Sequence, residues 1–375
     1  MSTRLSEEQL ARDLAIRDLT DPAAGTHALQ LVVDRIVDAL ARRWGAETRW
    51  WRGERIVTIA DNYDNLGYHG DDITRDARYT RYVDDLRMLR SHSSALIPAA
   101  LRALAADPAE DVLLVCPGIV YRRDSIDRLH TGTPHQLDLW RLTRRPMVRA
   151  DLEEMIAVII DALLPGARYR LEPRVHPYTE LGRQVDVARD GEWIEVAECG
   201  LAGPGVLRRA GLDSTHAGLA LGLGLDRIVM LLKGIPDIRI LRSADPAVAA
   251  QLTDLTPYRP ISTMPAIRRD LSIAVEHDDL AEDLGDRVRE ALGSAADSVE
   301  AVEIRAETPC SELPPPALRR LGARPDQKNL LIEVTLRRLD RTLTDHEANL
   351  LRDRIYAALH RGTAQQWAAN RPSAQ

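Results

Sequence analysis

Val112-Leu-Leu-Val115 runs on to Val120-Tyr-Arg-Arg-Asp124, and later Gly222-Leu-Gly-Leu-Asp-Arg227 leads into an apolar helical stretch. The first segment is almost unbroken in apolar character, which predicts a buried strand over 111–121 that delivers two arginines and a carboxylate at its end. The planar guanidinium fork suits a phosphate or a carboxylate. The second segment predicts a buried strand entering a helix across 218–232. Its two glycines allow close approach of backbone to a ligand, and Arg227 stands where the helix opens. A dinucleotide fingerprint would need a third glycine after the first strand of the chain, and a P-loop would need Gly-Lys-Ser/Thr. Neither is present. The nucleotide-type chemistry these arginines suggest therefore belongs to some other fold.

Working outward, residues 6–18 predict an amphipathic helix, with Ser6 as its cap and Gln9 completing a capping box. A second helix starts at a Thr26 cap, carries the stripe Leu29, Val32, Val33, Ile36 and Leu40, and stops at Gly45. Residues 54–60 predict a strand. Residues 151–164 predict a helix ended by Pro165-Gly166, and residues 183–202 predict two strands around the turn Arg189-Asp190-Gly191. Pro246, Pro257, Pro260 and Pro265 cluster at a boundary near 250–262. Beyond it the order becomes strand (271–275), helix (278–292), strand (299–305), a Pro-rich loop (309–325), strand (329–336) and helix (344–360). With room for one last weak strand, that order predicts a ferredoxin-like module.

The chain has 375 residues, 45% of them hydrophobic and 29% charged, with a net charge of −7. That is long enough for two or three domains with real cores, and the charge argues against a general polyanion binder. No apolar run reaches membrane-spanning length, so no membrane is expected. Glu7 and Glu8 stand where an export signal would be apolar. Cys116, Cys199 and Cys310 are scattered thiols that suit a reducing cytosol and form neither a disulfide scaffold nor a zinc ribbon, so a cytoplasmic location is expected. Phenylalanine is absent, and Trp (6) and Tyr (9) supply every aromatic ring.

Further candidates lie between the two arginine segments. Arg90-Ser-His-Ser-Ser94 offers small donors beside a histidine. Ile126-Asp-Arg-Leu-His130 is followed by His135-Gln-Leu-Asp138, whose spacing fits no common zinc pattern. Taken in order with Trp193-Ile-Glu-Val196 and Gly234-Ile-Pro-Asp-Ile-Arg239, these motifs resemble the catalytic domain of phenylalanyl-tRNA synthetase, most nearly its single-chain, mitochondrial type. Arg268-Arg-Asp-Leu-Ser272 and Asp340-Arg-Thr-Leu-Thr-Asp345 resemble the ferredoxin-fold anticodon-binding domain of the same enzymes.

The resemblance implies an α+β fold: a class II synthetase antiparallel sheet with flanking helices over 1–255, and a ferredoxin-like βαββαβ domain over 262–369. It implies an enzyme, a ligase that activates a free amino acid with ATP and Mg2+ and passes it to tRNA. Arg122 would hold the α-phosphate, and Arg227 would face the γ-phosphate. Asp124, Asp226 and Glu195 would lie along ATP, with Glu195 the carboxylate nearest magnesium. His92, Ser94, His130, Gln136 and Asp138 would surround the amino acid, Gln136 and Asp138 taking its ammonium. His176, Tyr178, Glu198 and Ala220 would line its side-chain pocket. Arg338, Arg341, Arg354 and Arg361 would offer a tRNA backbone surface, with Arg354 and Arg361 on one helix face. A chain carrying both domains could act as a monomer.

The sequence departs from the family in its pocket. His176-Pro177-Tyr178 replaces Phe-Pro-Phe, Leu219-Ala220-Leu221 replaces Phe-Ala-Phe, and Glu198-Cys199-Gly200 replaces Gly-Cys-Gly. Asp226 replaces the usual Glu. A benzyl side chain is gripped by packing on aromatic edges, so these changes point to phenylalanine or to a more polar analogue as substrate. The alternatives are a paralogue with an altered substrate or acceptor, in a resistance or biosynthetic role, and a non-catalytic tRNA-binding relative.

Overall fold

The computed structural model describes residues 4–76, 79–189, 191–261 and 265–364. The elements in chain order begin with α1 (Glu7–Ala15), α2 (Ala28–Trp44), β1 (Glu47–Trp50), β2 (Ile56–Thr58), α3 (Ile59–Asn62), β3 (Arg87–Leu89), α4 (Ile97–Ala106), β4 (Asp111–Ile119) and β5 (His135–Thr143). They continue with α5 (Arg149–Leu163), β6 (Tyr169–Pro173), β7 (Thr179–Arg189), β8 (Glu192–Ala202), α6 (Pro204–Arg209), β9 (Ala217–Gly224), α7 (Leu225–Lys233) and α8 (Pro246–Gln251). The last six are β10 (Ile267–Val275), α9 (Ala281–Leu292), β11 (Val299–Pro309), α10 (Pro315–Leu321), β12 (Lys328–Leu336) and α11 (Asp345–Leu359). Among the described residues no helix is long and apolar enough to cross a membrane.

The chain divides into two compact units. The first comprises Met1–Arg122, Thr133–Pro236 and Ala249–Tyr258, and the second comprises Arg123–Gly132, Asp237–Val248 and Arg259–Gln375. The first is built on a seven-stranded sheet in the order β1-β4-β5-β9-β8-β7-β6. β1 runs parallel to β4 and every other neighbour pair is antiparallel. On one face a core forms from Leu96, Leu101, Leu114, Trp140, Leu142 and Val206, where α4 and α6 cover alternate residues of β4 and β5.

Local chemistry explains where the elements start and stop. Ser6 and Gln9 close the expected capping box of α1, and Gly45 ends α2 in the left-handed region at φ 65°. The cap of α2 is His27 rather than Thr26: its Nδ1 accepts from the Leu29 N–H at 3.2 Å. The strand expected over 54–60 is cut to β2, because the Thr58 hydroxyl accepts from the Asp61 N–H at 3.0 Å and caps α3 there. β1 was not expected from the sequence at all. The turn expected at 189–191 joins β7 to β8, although Asp190 lies outside the described residues.

The second unit holds a three-stranded antiparallel sheet in the order β10-β12-β11. Its core joins Leu271, Ile273 and Val334 from the sheet to Leu284, Val288, Ile355 and Leu359 from α9 and α11. Ile126 sits in the same core, so residues 123–132 belong here and not with the first domain as the expected 1–255 boundary had it. Arg289 donates to the Ser125 carbonyl at 2.6 Å, the Val302 N–H donates to the Ile126 carbonyl at 3.0 Å, and Arg128 pairs with the buried Glu300. The close approach needs Gly285 on α9, where a Cβ would stand 2.5 Å from the Asp124 carbonyl. The expected Pro-rich loop is shorter than 309–325, since β11 runs to Pro309 and α10 opens on Pro315, which suits a first helical turn. The last weak strand expected after α11 falls largely on residues outside those described.

Candidate active site

Strand register puts the chemistry of the first unit in one place. Asp138 on β5 pairs with Gly222 on β9, and Gly222 pairs with Glu198 on β8. Directly paired residues share a face, so Asp138, Gly222 and Glu198 form a row in which the glycine leaves space between two carboxylates. The adjacent row on that face is Trp140, Ala220 and Gly200. At Gly200 a Cβ would stand 2.6 Å from the Cβ of Thr179 and 2.9 Å from the Glu180 carbonyl. Glycine there lets the 176–179 segment lie down on the sheet.

That segment supplies a stack of rings. Tyr178 lies 6.3 Å from Trp140, 5.5 Å from His176 and 6.2 Å from Tyr68, centroid to centroid, and Tyr68 stacks on His92 at 5.9 Å. His176 accepts or donates at Nδ1 with the Thr179 hydroxyl (3.1 Å) and meets Glu198 Oε2 with Nε2 at 3.0 Å. Arg174 Nε donates to the other Glu198 oxygen at 2.9 Å. Burial alone would push the Glu198 carboxyl up. The His176 hydrogen bond, the His176 charge and Arg174 outweigh it and hold the group below its ordinary value.

Asp138 is the deepest charged group of the site. Its carboxylate accepts from the Ser93 hydroxyl at 2.5 Å, the Ser94 hydroxyl at 3.1 Å and Trp140 Nε1 at 3.3 Å. Burial raises its pKa to about 6 against the pull of those three donors and of His176. Gln136, two residues earlier on the same face, accepts from the Ser93 N–H at 3.1 Å. His92 is pushed down to about 3, first by burial and then by the charge of Arg122, so its ring stays neutral. Its Nδ1 is buried without a hydrogen-bond partner among the described residues.

The two arginines emerge at one end of the sheet. β4 and β9 both run antiparallel to β5, and Gly118, Gln136 and Gly224 form a row across them. Arg122 lies just beyond the end of β4 and Arg227 just beyond the end of β9, with β5 between. Arg122 Nε donates to the Ser91 carbonyl at 3.1 Å, which ties it to the loop carrying His92 and Ser93. Arg227 donates to the Glu195 carbonyl at 2.9 Å. Simple alternation would put Glu195 and Glu198 on opposite faces. The register shift between β7 and β8 pairs Ala197 with Val185 but Glu195 with Asp186. This bulge at Val196 returns Glu195 to the Glu198 face. Its pKa is raised by burial and then by the charge of Glu198, against Arg227 and Arg174.

The first unit thus brings together Arg122, Arg227, Glu195, His92, Ser94, Gln136, Asp138, His176, Tyr178, Glu198 and Ala220. Asp226 departs from the expected role beside ATP. It is 3% exposed, and its carboxylate accepts from both the His135 N–H and His135 Nδ1. His135 Nε2 accepts from the Leu19 N–H at 3.1 Å, which leaves the ring proton on Nδ1 facing Asp226. The carboxylate is consumed in the interior, where it holds the neighbours of Gln136 and Arg227. Asp226→Ala is expected to lower unfolding free energy by about 3 kcal/mol in a urea titration, because two buried donors lose their acceptor. An unchanged transition would refute this.

Asp124 and His130 fall in the second unit and are engaged there. The Asp124 carboxylate caps the Ser125 N–H at 2.9 Å, and His130 Nδ1 meets Asp127 at 2.7 Å. In the expected tRNA surface, Arg338 is held by Asp340, Arg341 by Glu347, and Arg354 donates to the Ala291 carbonyl. Arg361 lies beyond the end of α11 at Leu359, so it does not share a helix face with Arg354 as expected. Residues missed in the sequence include Tyr68, Trp140 and Arg174. Trp140 was open to a period-of-two argument from Asp138. Tyr68 was not, because only the fold brings it to the stack. Cys116 and Cys199 are buried, with the Cys199 thiol raised to about 12 by burial, so neither is a nucleophile. Among the described residues no group of three His, Cys, Asp or Glu could hold a metal ion unaided.

Residues 12–252 match the family model for the class II core domain (F) of tRNA synthetases. The chain belongs to this family. The phenylalanine–tRNA ligase alpha subunit of Nostoc punctiforme is 30% identical over 234 residues, covering 62% of this chain and 68% of the relative. That of Prochlorococcus marinus is 33% identical over 234 residues, covering 61% and 68%, and that of Synechocystis is 31% identical over 247 residues, covering 64% and 71%. Among solved structures, the pyrrolysyl tRNA synthetase PylSc of Desulfitobacterium hafniense aligns at 19% identity and TM-score 0.45, over 62% of this chain and 78% of that one. The class II synthetase core accounts for the mainly antiparallel sheet of the first unit. The family match stops at residue 252, so it does not cover most of the second unit.

Proposed function

We propose that this class II synthetase-family protein activates a free amino acid with ATP to an aminoacyl-adenylate and transfers the aminoacyl group to tRNA. The observation that carries the reading is the emergence of Arg122 and Arg227 at one sheet end, beside the buried Asp138 carboxylate, which can receive an ammonium. Arg122 would neutralise the α-phosphate and the reacting carboxylate as charge develops between them, and Arg227 would hold the far phosphate. Asp138 and Gln136 would accept from the ammonium, which has donors only. His92, held neutral, offers an unpaired ring nitrogen beside them.

Magnesium bound with the triphosphate would neutralise its charge. Glu195 fits such a role, because it is exposed and strand register puts it on the same face as Glu198. One carboxylate with phosphate oxygens is an ordinary magnesium site, and no all-protein cage is needed.

In the second unit, the sheet order β10-β12-β11 with α9 and α11 packed on the same core supports a ferredoxin-like tRNA-binding domain. Its arginines would have to exchange carboxylate partners for phosphates. Activation and tRNA recognition in a single chain, acting as a monomer, belong to this proposal.

Amino-acid-dependent pyrophosphate exchange across a panel of amino acids tests the reading, followed by tRNA charging with the best substrate. Exchange with at least one amino acid is the expected result. No exchange with any would overturn the activation step, and exchange without charging would overturn the tRNA acceptor.

A further inference from the structure

The side-chain end of the pocket carries a charged group that a benzyl side chain cannot use. Glu198 and Asp138 stand on one face, two strands apart, with Gly222 between them. Two strand spacings separate their backbones by roughly 10 Å. Asp138 Oδ2 lies 3.7 Å from where a Gly222 Cβ would stand, so the glycine keeps the space between the two carboxylates open to a ligand side chain. The walls are flat, formed by Tyr178, Trp140, His176 and Tyr68, which suits a flat side chain.

Charge decides what the ring must carry. Glu198 is already paired with both Arg174 and His176, and Asp138 would be balanced by the substrate ammonium. A cationic side chain would then leave one positive charge uncompensated, and an anionic one would face two carboxylates. Each Glu198 oxygen accepts one hydrogen bond, from Arg174 or from His176. A carboxylate has about four acceptor positions, so capacity remains for a further donor.

We infer that the pocket selects a neutral amino acid with a flat ring carrying an O–H or N–H donor, such as a phenol or an aniline, which Glu198 receives. The inference rests on the activation reading above and specifies its substrate class. A site that hydrogen-bonds a substrate donor rejects the analogue lacking it, because its own polar groups are then buried against hydrocarbon. A hydrophobic pocket has no such means of preferring the polar ligand.

The test is pyrophosphate exchange by the full chain with phenylalanine, tyrosine, meta-tyrosine and para-aminophenylalanine, in the wild type and in Glu198→Gln. The expected result is a kcat/KM for at least one donor-bearing substrate more than tenfold above that for phenylalanine. Glu198→Gln should reduce this ratio at least tenfold, whatever its effect on the absolute rates. Phenylalanine equal to or better than every donor-bearing analogue would overturn the inference while leaving the activation reading intact. A ratio unchanged in a folded Glu198→Gln variant would also overturn it. Absence of exchange with every amino acid in a wider panel would instead overturn the activation reading, and this inference with it.

Discussion

Arg227→Ala is expected to reduce amino-acid-dependent pyrophosphate exchange by about 10²–10³-fold while the protein unfolds at an unchanged denaturant midpoint. The size follows from the usual cost of removing one charge-stabilising donor from a site where charge develops. The unchanged midpoint follows from the surroundings. Arg227 is half-buried, and its hydrogen bond runs to the Glu195 carbonyl, on a strand that pairs on both sides. Loss of one such bond at a partly solvated site costs about 1 kcal/mol or less. Arg227→Lys should fall between wild type and alanine, since it keeps the charge and loses the fork. Exchange at the wild-type rate in Arg227→Ala would remove the phosphate role, and a collapsed midpoint would recast the residue as structural.

Asp138→Asn is expected to raise the amino-acid KM at least about 100-fold at pH 8, because the ammonium loses its charged acceptor. The same substitution should alter stability in the opposite sense. The Asp138 carboxyl titrates at about 6 in the fold and near 3.8 when unfolded. A raised folded pKa means that the associated stability is complete below about pH 4 and is lost as pH rises through 6. The loss is on the order of 3 kcal/mol. Asparagine removes the titration. The variant should therefore match wild type near pH 4 and exceed it by up to that amount at pH 8, measured by urea unfolding without ligand. The wild-type KM for the amino acid should in turn climb about tenfold per pH unit below pH 6, as the carboxylate takes a proton. A KM flat from pH 5 to 8 would remove Asp138 as the ammonium acceptor. The fold thus maintains a destabilised carboxylate where a cationic ligand can relieve it.

Much of this site was legible before folding. Arg122 and Arg227 were singled out by residue type, Asp138, Gln136 and Glu195 by the family resemblance, and all five fall in one unit. The substitutions at His176, Tyr178 and Glu198 were legible as a change of pocket chemistry. Their orientation was not. Strand register puts Glu198 on the pocket face, and the His176 and Arg174 contacts hold its carboxylate there. Asp226 was assigned to ATP because it stands where the family has a Glu, but a helix turns it about 100° away from Arg227. His135 takes it inward.

The amino-acid sequence alone determined the helices with caps and stripes, the apolar strands, and the boundary before the second sheet. These depend on contacts within a few residues or on a repeating apolar period, and both are local. Tertiary structure alone decided that the Val196 bulge swings Glu195 onto the Glu198 face, that residues 123–132 pack with the second unit, and that His135 claims Asp226. Each of those outcomes depends on pairing or packing between segments distant in the chain, where the partner's position sets the direction of a side chain, and no local pattern carries that information.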